Sequence, residues 1–506
     1  MSEKRSKGLL NAVERIGNSL PHPNFIFVIL FFVVIVISWL TKNITFSHPA
    51  TGAEQGITNL LGVDGLLWFL NSMISNFINF GPLGLVLVTG MGIGLAEESG
   101  LLKSIIKTSI TKAHPVLVTT IVVFTALTGN LAGSAVFVII PPLGAMVFKA
   151  LGRHPLAGLA AGFGGVAAGL SANLIIAPTD ILLAGITETA AQIMDPEFTV
   201  NPAVNWYFMA ASTILLTIVG TLVNEKIVEP KLGEYRPLIE ESEESEADRE
   251  LMTVTSEQKK GLWYAFYTLI AFIALVGLTV IPANGILRGP GGSIVPSPFL
   301  SSIAPILTLL FAATGIAYGI GAKTIKKADD IIKFLGNAMS GLAGFVVLCF
   351  FAAQFISAFS RSNLGLLISV RGSYFIEATG FTGIPLILTF IMFTILCNLF
   401  IGSASAKWIL LSPIFVPMFM RLGFSPFFTQ AAYRIADSVG NVISPLEPFM
   451  PFIIATAQRY DKKSGLGTVI SMMLPISISY FIAWTLLLIV WYVFNIPLGP
   501  GAPIFM

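Results

Sequence analysis

Arg434, Asp437 and Asn441 stand at i, i+3 and i+7 within the apolar stretch Asn398 to Pro451, so a helix there carries all three on one face. Charge at bilayer depth is costly and usually marks a pathway or a pocket. The Arg–Asp spacing admits two chemistries. The pair can be structural, each charge neutralising the other so that the helix tolerates hydrocarbon. It can equally be a switch, in which the Asp takes up a proton while the Arg engages an anionic substrate. Asn441 favours the switch, because a carboxamide and a chain break then share that face and free backbone groups for a ligand.

Two further acids follow a proline. Ser444-Pro445-Leu446-Glu447 has the form of a capping box, which gives Glu447 a helix N-terminus to complement. Ala177-Pro178-Thr179-Asp180 has the same spacing, but no basic residue is near it in sequence, so Asp180 is read as a proton-carrying site. Small polar turns supply hydroxyls, amides and close backbone approach: Gly129 to Ser134, with Asn130 and Ser134, and Gly402 to Ala406, with Ser403 and Ser405. The same small residues also suit tight helix packing. Lys407 pairs with an acid or lies near the surface. Trp408 is an interfacial anchor or an aromatic wall for a ring-bearing substrate.

These residues fall in two related stretches. A shift of 271 positions carries Ser134, Ala135, Pro142, Phe148, Leu151, Gly152 and Pro155 onto Ser405, Ala406, Pro413, Phe419, Leu422, Gly423 and Pro426. After small slippages Asn173 meets Asn441, Pro178 meets Pro445 and Asp180 meets Glu447. Each copy reads as small-residue turn, proline-containing apolar helix, Gly turn, second helix, break and Pro-x-acid. Paired interruptions in two halves of a membrane protein point to a transporter's binding site.

The elements that must position them are membrane helices. The chain of 506 residues is 55% hydrophobic and 11% charged, and its mean hydropathy is +0.83, which excludes a soluble domain. A net charge of +2 gives a nucleic-acid partner no support, and two cysteines with four scattered histidines give no metal spacing. No G-x-S-x-G, H-E-x-x-H or Walker A is present, which leaves an intramembrane enzyme as a remote rival. Spans are expected near 24–42, 83–98, 204–224, 261–281, 299–319, 338–358 and 467–494, with broken helices at 156–192 and 426–457. The segments 116–149 and 383–420 read as re-entrant hairpins. Lys and Arg placement puts the N-terminus inside and the C-terminus outside. The fold class is therefore an all-α polytopic membrane protein of nine transmembrane helices and two hairpins with an inverted-topology repeat. It divides into a cytoplasmic segment 1–23, a first half 24–224, an acidic linker 225–260 and a second half 261–500.

VERIGNSLPHP, GRHPLAGLAAG, NWYFMA, VNEKIVEPKLG, IPANGILR, SPIFVPMFMRLGFSP and RIADS together resemble the p-aminobenzoyl-glutamate transporter (AbgT) family, from about Val13 to Pro500. The resemblance implies a bowl-shaped inner-membrane homodimer with a scaffold and a transport core. It implies uptake of p-aminobenzoyl-glutamate or proton-driven export of sulfonamide antimetabolites. The family's functional positions fall here on Asp180, Asn398, Ser405, Trp408, Pro426, Arg434, Asp437 and Pro445. The first hairpin departs from relatives that carry an acid at its tip, since Gly133-Ser134-Ala135 has none. The expectation is a secondary transporter without cofactor. Asn398, Ser403, Ser405, Trp408, Pro426, Arg434, Asn441, Pro445, Asn130, Ser134 and Asn173 would meet the substrate, and Asp180 and Asp437 would carry the coupled proton. Sodium is the alternative coupling ion.

Overall fold

A computed structural model describes residues 23–47, 53–111, 114–133, 135–235, 253–398, 400–444 and 446–506. Among them, seven helical segments are long and apolar enough to cross a membrane. The first half contains α1 (Pro23–Leu40), α2 (Val63–Ile78), α3 (Gly81–Glu98), α4 (Leu101–Thr111), α5 (Val118–Thr128), α6 (Ala135–Ala150), α7 (Pro155–Phe163), α8 (Pro178–Ala191) and α9 (Trp206–Val223). The second half contains α10 (Ser256–Val280), α11 (Ile303–Ala322), α12 (Ala328–Gly341), α13 (Ala343–Arg361), α14 (Leu364–Thr379), α15 (Ile384–Asn398), α16 (Ala404–Arg421), α17 (Pro426–Asn441), α18 (Met450–Gln458) and α19 (Leu466–Phe494). A short hairpin, Thr45–Ser47 with Glu54–Gly56, lies between α1 and α2.

Four elements go beyond the sequence reading. Helices α2 and α14 and most of α12 occupy stretches left unassigned. Helix α4 follows the span expected at 83–98, in a stretch left unassigned, and it turns Lys107 into the interior with 2% exposure. Short or amphipathic helices of this kind lack the long apolar signal by which spans are recognised. The linker also starts later than residue 225. Asn224–Val228 makes a π turn and Glu229–Leu232 continues the helix. There Arg153 is held by Glu229 and Thr119 and lies over the Phe148 ring. The acidic run 240–250 and the N-terminal segment lie outside the described residues.

The turns and breaks fall at the small residues and prolines. Helices α5 and α6 are joined through Gly129–Ala132 and Gly133, which takes φ +55°, a conformation that favours glycine. Helices α15 and α16 are joined through Gly402 and Ser403, whose hydroxyl caps α16 at Ala406 N. The segment after α7 passes through a π turn at Gly164–Ala168 and a non-helical stretch before Pro178 opens α8. Among the described residues after α17, 442–444 and 446–449 are not helical, and Met450 opens α18.

The halves interlock through these pieces. Helix α16 packs on α8 of the other half, α15 packs on α17, and α9 packs on α5 and α19. Helix α17 is the centre of the molecule, with all 16 of its residues buried. It is not an apolar helix: Thr429, Gln430, Arg434, Asp437, Ser438 and Asn441 are all on it. Burial of that many polar groups is tolerable only when neighbours satisfy them.

Candidate functional site

Each charge on α17 finds its partner on another element. Arg434 is wholly buried, and its Nη1 lies 2.5 Å from Asp180 Oδ1 at the start of α8. Its Nη2 donates to Ser171 O at 2.8 Å, within the break that precedes α8. Its Nε is buried without a hydrogen-bond partner. Asp180 also accepts from Asn173 Nδ2 at 3.0 Å and from Ala177 N at 2.6 Å, so it caps α8 and holds the arginine at once.

Asp437 pairs elsewhere. Lys407 Nζ, on the first turn of α16, lies 2.6 Å from Asp437 Oδ1 and also donates to Asn398 Oδ1. Asn398 Nδ2 in turn donates to the carbonyls of Ala436 and Asp437, both at 2.9 Å. Tyr433 Oη donates to Ala404 O at 2.6 Å and lies 3.4 Å from Asp437 Oδ1. Asn441 Nδ2 is 3.4 Å from Asp437 Oδ2.

The local Arg434–Asp437 pair is therefore corrected to two long-range pairs, Arg434–Asp180 and Lys407–Asp437. The i, i+3 spacing brings the stems together, but α8 and α16 flank α17 and offer each charge a closer partner. Lys407 lies at depth, with no exposed surface. The expected capping box at Glu447 does not form either. The next helix begins at Met450, and the Glu447 carboxylate takes the backbone N–H of Phe449 instead.

Trp408 is wholly buried, which removes the interfacial-anchor reading. Its ring stacks on Tyr433 at 4.4 Å between centroids. Its Nε1 donates to Thr187 Oγ1 at 2.9 Å. Thr187 Oγ1 donates to Gln430 Oε1 at 2.5 Å, and Gln430 Nε2 donates to Asn205 Oδ1 at 2.8 Å. Thr187, Gln430, Asn205 and Lys407 complete a polar lattice that sequence reading did not assemble. Helical spacing could have found two of them, since Thr187 lies seven residues after Asp180 and Gln430 four before Arg434.

Of the remaining candidates, Ser403 and Ser405 lie 3.2 Å apart at the α16 N-terminus. Asn173 joins the Asp180 cluster, and its Oδ1 is buried without a donor. Pro426 opens α17, about 12 Å along the axis from Arg434 at 1.5 Å per residue, so it starts the helix rather than joining the charges. Ser134 and Pro445 lie outside the described residues. Asn130 donates from Nδ2 to Gly169 O at 3.5 Å. A shift of 268 positions carries Asn130 onto Asn398, Gly169 onto Asp437 and Asn173 onto Asn441. Both copies thus use an asparagine at the turn to bind a carbonyl of the facing segment, a correspondence the shift of 271 conceals.

Asn398 reaches α17 only because Gly440 has no side chain. A Cβ there would fall 2.0 Å from Asn398 Nδ2. Gly440→Ala is expected to push Asn398 away and to lower stability by about 1–3 kcal/mol. Thermal unfolding of the detergent-purified protein reads this, and an unchanged midpoint would show that the turn has slack.

Interlocked broken helices around buried charge pairs are the arrangement of a membrane transporter. The chain belongs to the AbgT putative transporter family, whose profile matches residues 8–506. It is 40% identical over 503 residues to the p-aminobenzoyl-glutamate transport protein of Escherichia coli (strain K12), across 99% of this chain and 97% of that one. Its structure superposes on the YdaH transporter of Alcanivorax borkumensis with a TM-score of 0.90 and 36% identity, covering 95% of this chain and 100% of the other. It superposes on MtrF of Neisseria gonorrhoeae, described among a class of antimetabolite efflux pumps, with a TM-score of 0.91 and 42% identity, covering 98% of this chain and 100% of the other. These relatives are transporters, not enzymes.

Proposed function

We propose that the chain is a proton-coupled secondary transporter of the bacterial cytoplasmic membrane, moving p-aminobenzoyl-glutamate or sulfonamide-type antimetabolites. The observation that carries this is Arg434, a fully buried guanidinium held by a carboxylate of the other repeat and with Nε still free of a hydrogen bond. A substrate carboxylate or sulfonyl oxygen that engages Arg434 displaces Asp180. The displaced carboxylate, buried and without its cation, takes up a proton. Anion and proton then travel together. The substrate's ring would replace Tyr433 against Trp408, and its polar ends would meet Ser405 and Asn398. Every one of these side chains except Ser405 is buried, so this conformation is a closed one.

The same proposal includes nine crossings, two re-entrant hairpins, a homodimer, a cytoplasmic N-terminus and a periplasmic C-terminus. It treats 24–224 and 261–500 as inverted halves. Support for re-entrance comes from length. Helices α6 and α15 span about 24 and 23 Å at 1.5 Å per residue, short of a hydrocarbon core of about 30 Å, whereas Pro115–Ala132 and α16 have 18 residues each, the length of α1.

The test is transport in proteoliposomes under an imposed pH gradient, with labelled p-aminobenzoyl-glutamate and a labelled sulfonamide. The wild-type chain should concentrate at least one of them. Asp180→Asn should bind substrate yet lose all response to the gradient. A gradient response that survives in Asp180→Asn would remove Asp180 as the proton carrier.

A further inference from the structure

We propose that Lys407 is a tethered cation, an ammonium that permanently fills the oxygen cage an alkali ion would otherwise occupy and so makes transport independent of sodium. The proposal rests on the transporter reading above. Lys407 has no exposed surface, and its ammonium is given to two oxygens, Asn398 Oδ1 and Asp437 Oδ1. Asn441 Oδ1, on the same face of α17 as Asp437, is buried without a donor. One carboxylate and neutral oxygens beside a hairpin turn and a helix break form the kind of donor set that holds a hard coupling cation in carriers. Here the set closes on the chain's own ammonium, a compact point charge with three donors. Other titratable groups face it: Tyr433 of α17, Cys397 of α15, and Glu447 of the break after α17.

The first repeat supplies the contrast. The shift of 271 puts Val136 where Lys407 stands. Asn130 still makes the equivalent bond from Nδ2 to Gly169 O, but its Oδ1 is buried without a donor. Packing of the turn is thus achieved without a cation, and the ammonium is an addition specific to the second copy. Because the stem of Lys407 belongs to α16, the charge moves with the hairpin. In this closed conformation the chain's own ammonium neutralises Asp437, so the closed, empty carrier needs no bound ion there.

The experiment is thermal unfolding of detergent-purified protein in sodium, lithium or choline chloride at one ionic strength, without substrate. It therefore reads the cage even if the substrate assignment fails. Wild type should unfold at the same midpoint in all three salts. Lys407→Ala should unfold earlier in choline and recover several degrees in sodium, saturably, as binding to a vacated site requires. Asp437→Asn added to Lys407→Ala should abolish that recovery. No sodium-specific gain in Lys407→Ala beyond that of wild type overturns the proposal. If Lys407→Ala does not fold, wild-type proteoliposomes decide it. Full transport in sodium-free choline medium supports the tethered cation, and a strict sodium requirement overturns it.

Discussion

Arg434→Ala abolishes transport and lowers stability by about 3–5 kcal/mol, the range for breaking a buried ion pair from one side. The reason is the stranded partner. Asp180 keeps Asn173 Nδ2 and Ala177 N, but loses the only cation in contact with it among the described residues. Asp180→Asn strands the opposite charge and costs a similar amount, since Arg434 retains one carbonyl, Ser171 O. Combining Asp180→Asn with Arg434→Gln removes both charges. The pair should then unfold less readily than the two single costs add up to, with a coupling of about 0.5–3 kcal/mol. Transport should stay at background, because the anion site is gone. Strict additivity in the four-way comparison of unfolding midpoints would show that the two side chains do not act as a pair.

Trp408→Ala lowers stability by about 3–5 kcal/mol through the cavity it leaves. Trp408 is among the largest wholly buried side chains, stacked on Tyr433 and wedged between α8 and α17. Trp408→Phe separates ring from N–H. It keeps an aromatic surface for Tyr433 and loses the bond to Thr187, which still has Gln430, so the expected cost falls to about 1 kcal/mol. If Trp408 is the wall for a substrate ring, Trp408→Phe raises KM for an aryl substrate while kcat changes little. Equal damage from both substitutions would mean that the hydrogen bond, and not the ring, carries the residue's role.

The helix breaks were legible in the sequence because Gly, Pro and small polar residues interrupt apolar runs near Asn173–Pro178 and Gly440–Pro445, and the chain is non-helical just before Pro178 and just after Asn441. The residues of the charged cluster were legible for the same reason, since ionisable groups in apolar stretches stand out. Their partners were not. Arg434 and Asp437 are three residues apart and look like a pair, yet each is claimed by a helix whose position depends on the packing of α16 against α8. Contacts between segments so distant in sequence leave no local pattern. Helices α2, α12 and α14 escaped for a different reason. Helix α2 buries little, α12 is amphipathic, and α14 carries Arg371 and Glu377 within its apolar run, whereas hydropathy detects only uniformly apolar spans.

Helix α17 also constrains how the protein is made. On insertion scales Arg and Asp each cost about 2.5–3.5 kcal/mol at mid-membrane, so a segment carrying Gln430, Arg434, Asp437 and Asn441 does not partition into lipid by itself. What neutralises it lies on both sides of it along the chain: Lys407 shortly before, Asp180 far earlier, and the cover of α19 only afterwards. The first half emerges with Asp180 unpaired and must wait for the second. The charge pairs and cover of α17 therefore close only once α8, α16, α17 and α19 have all been made.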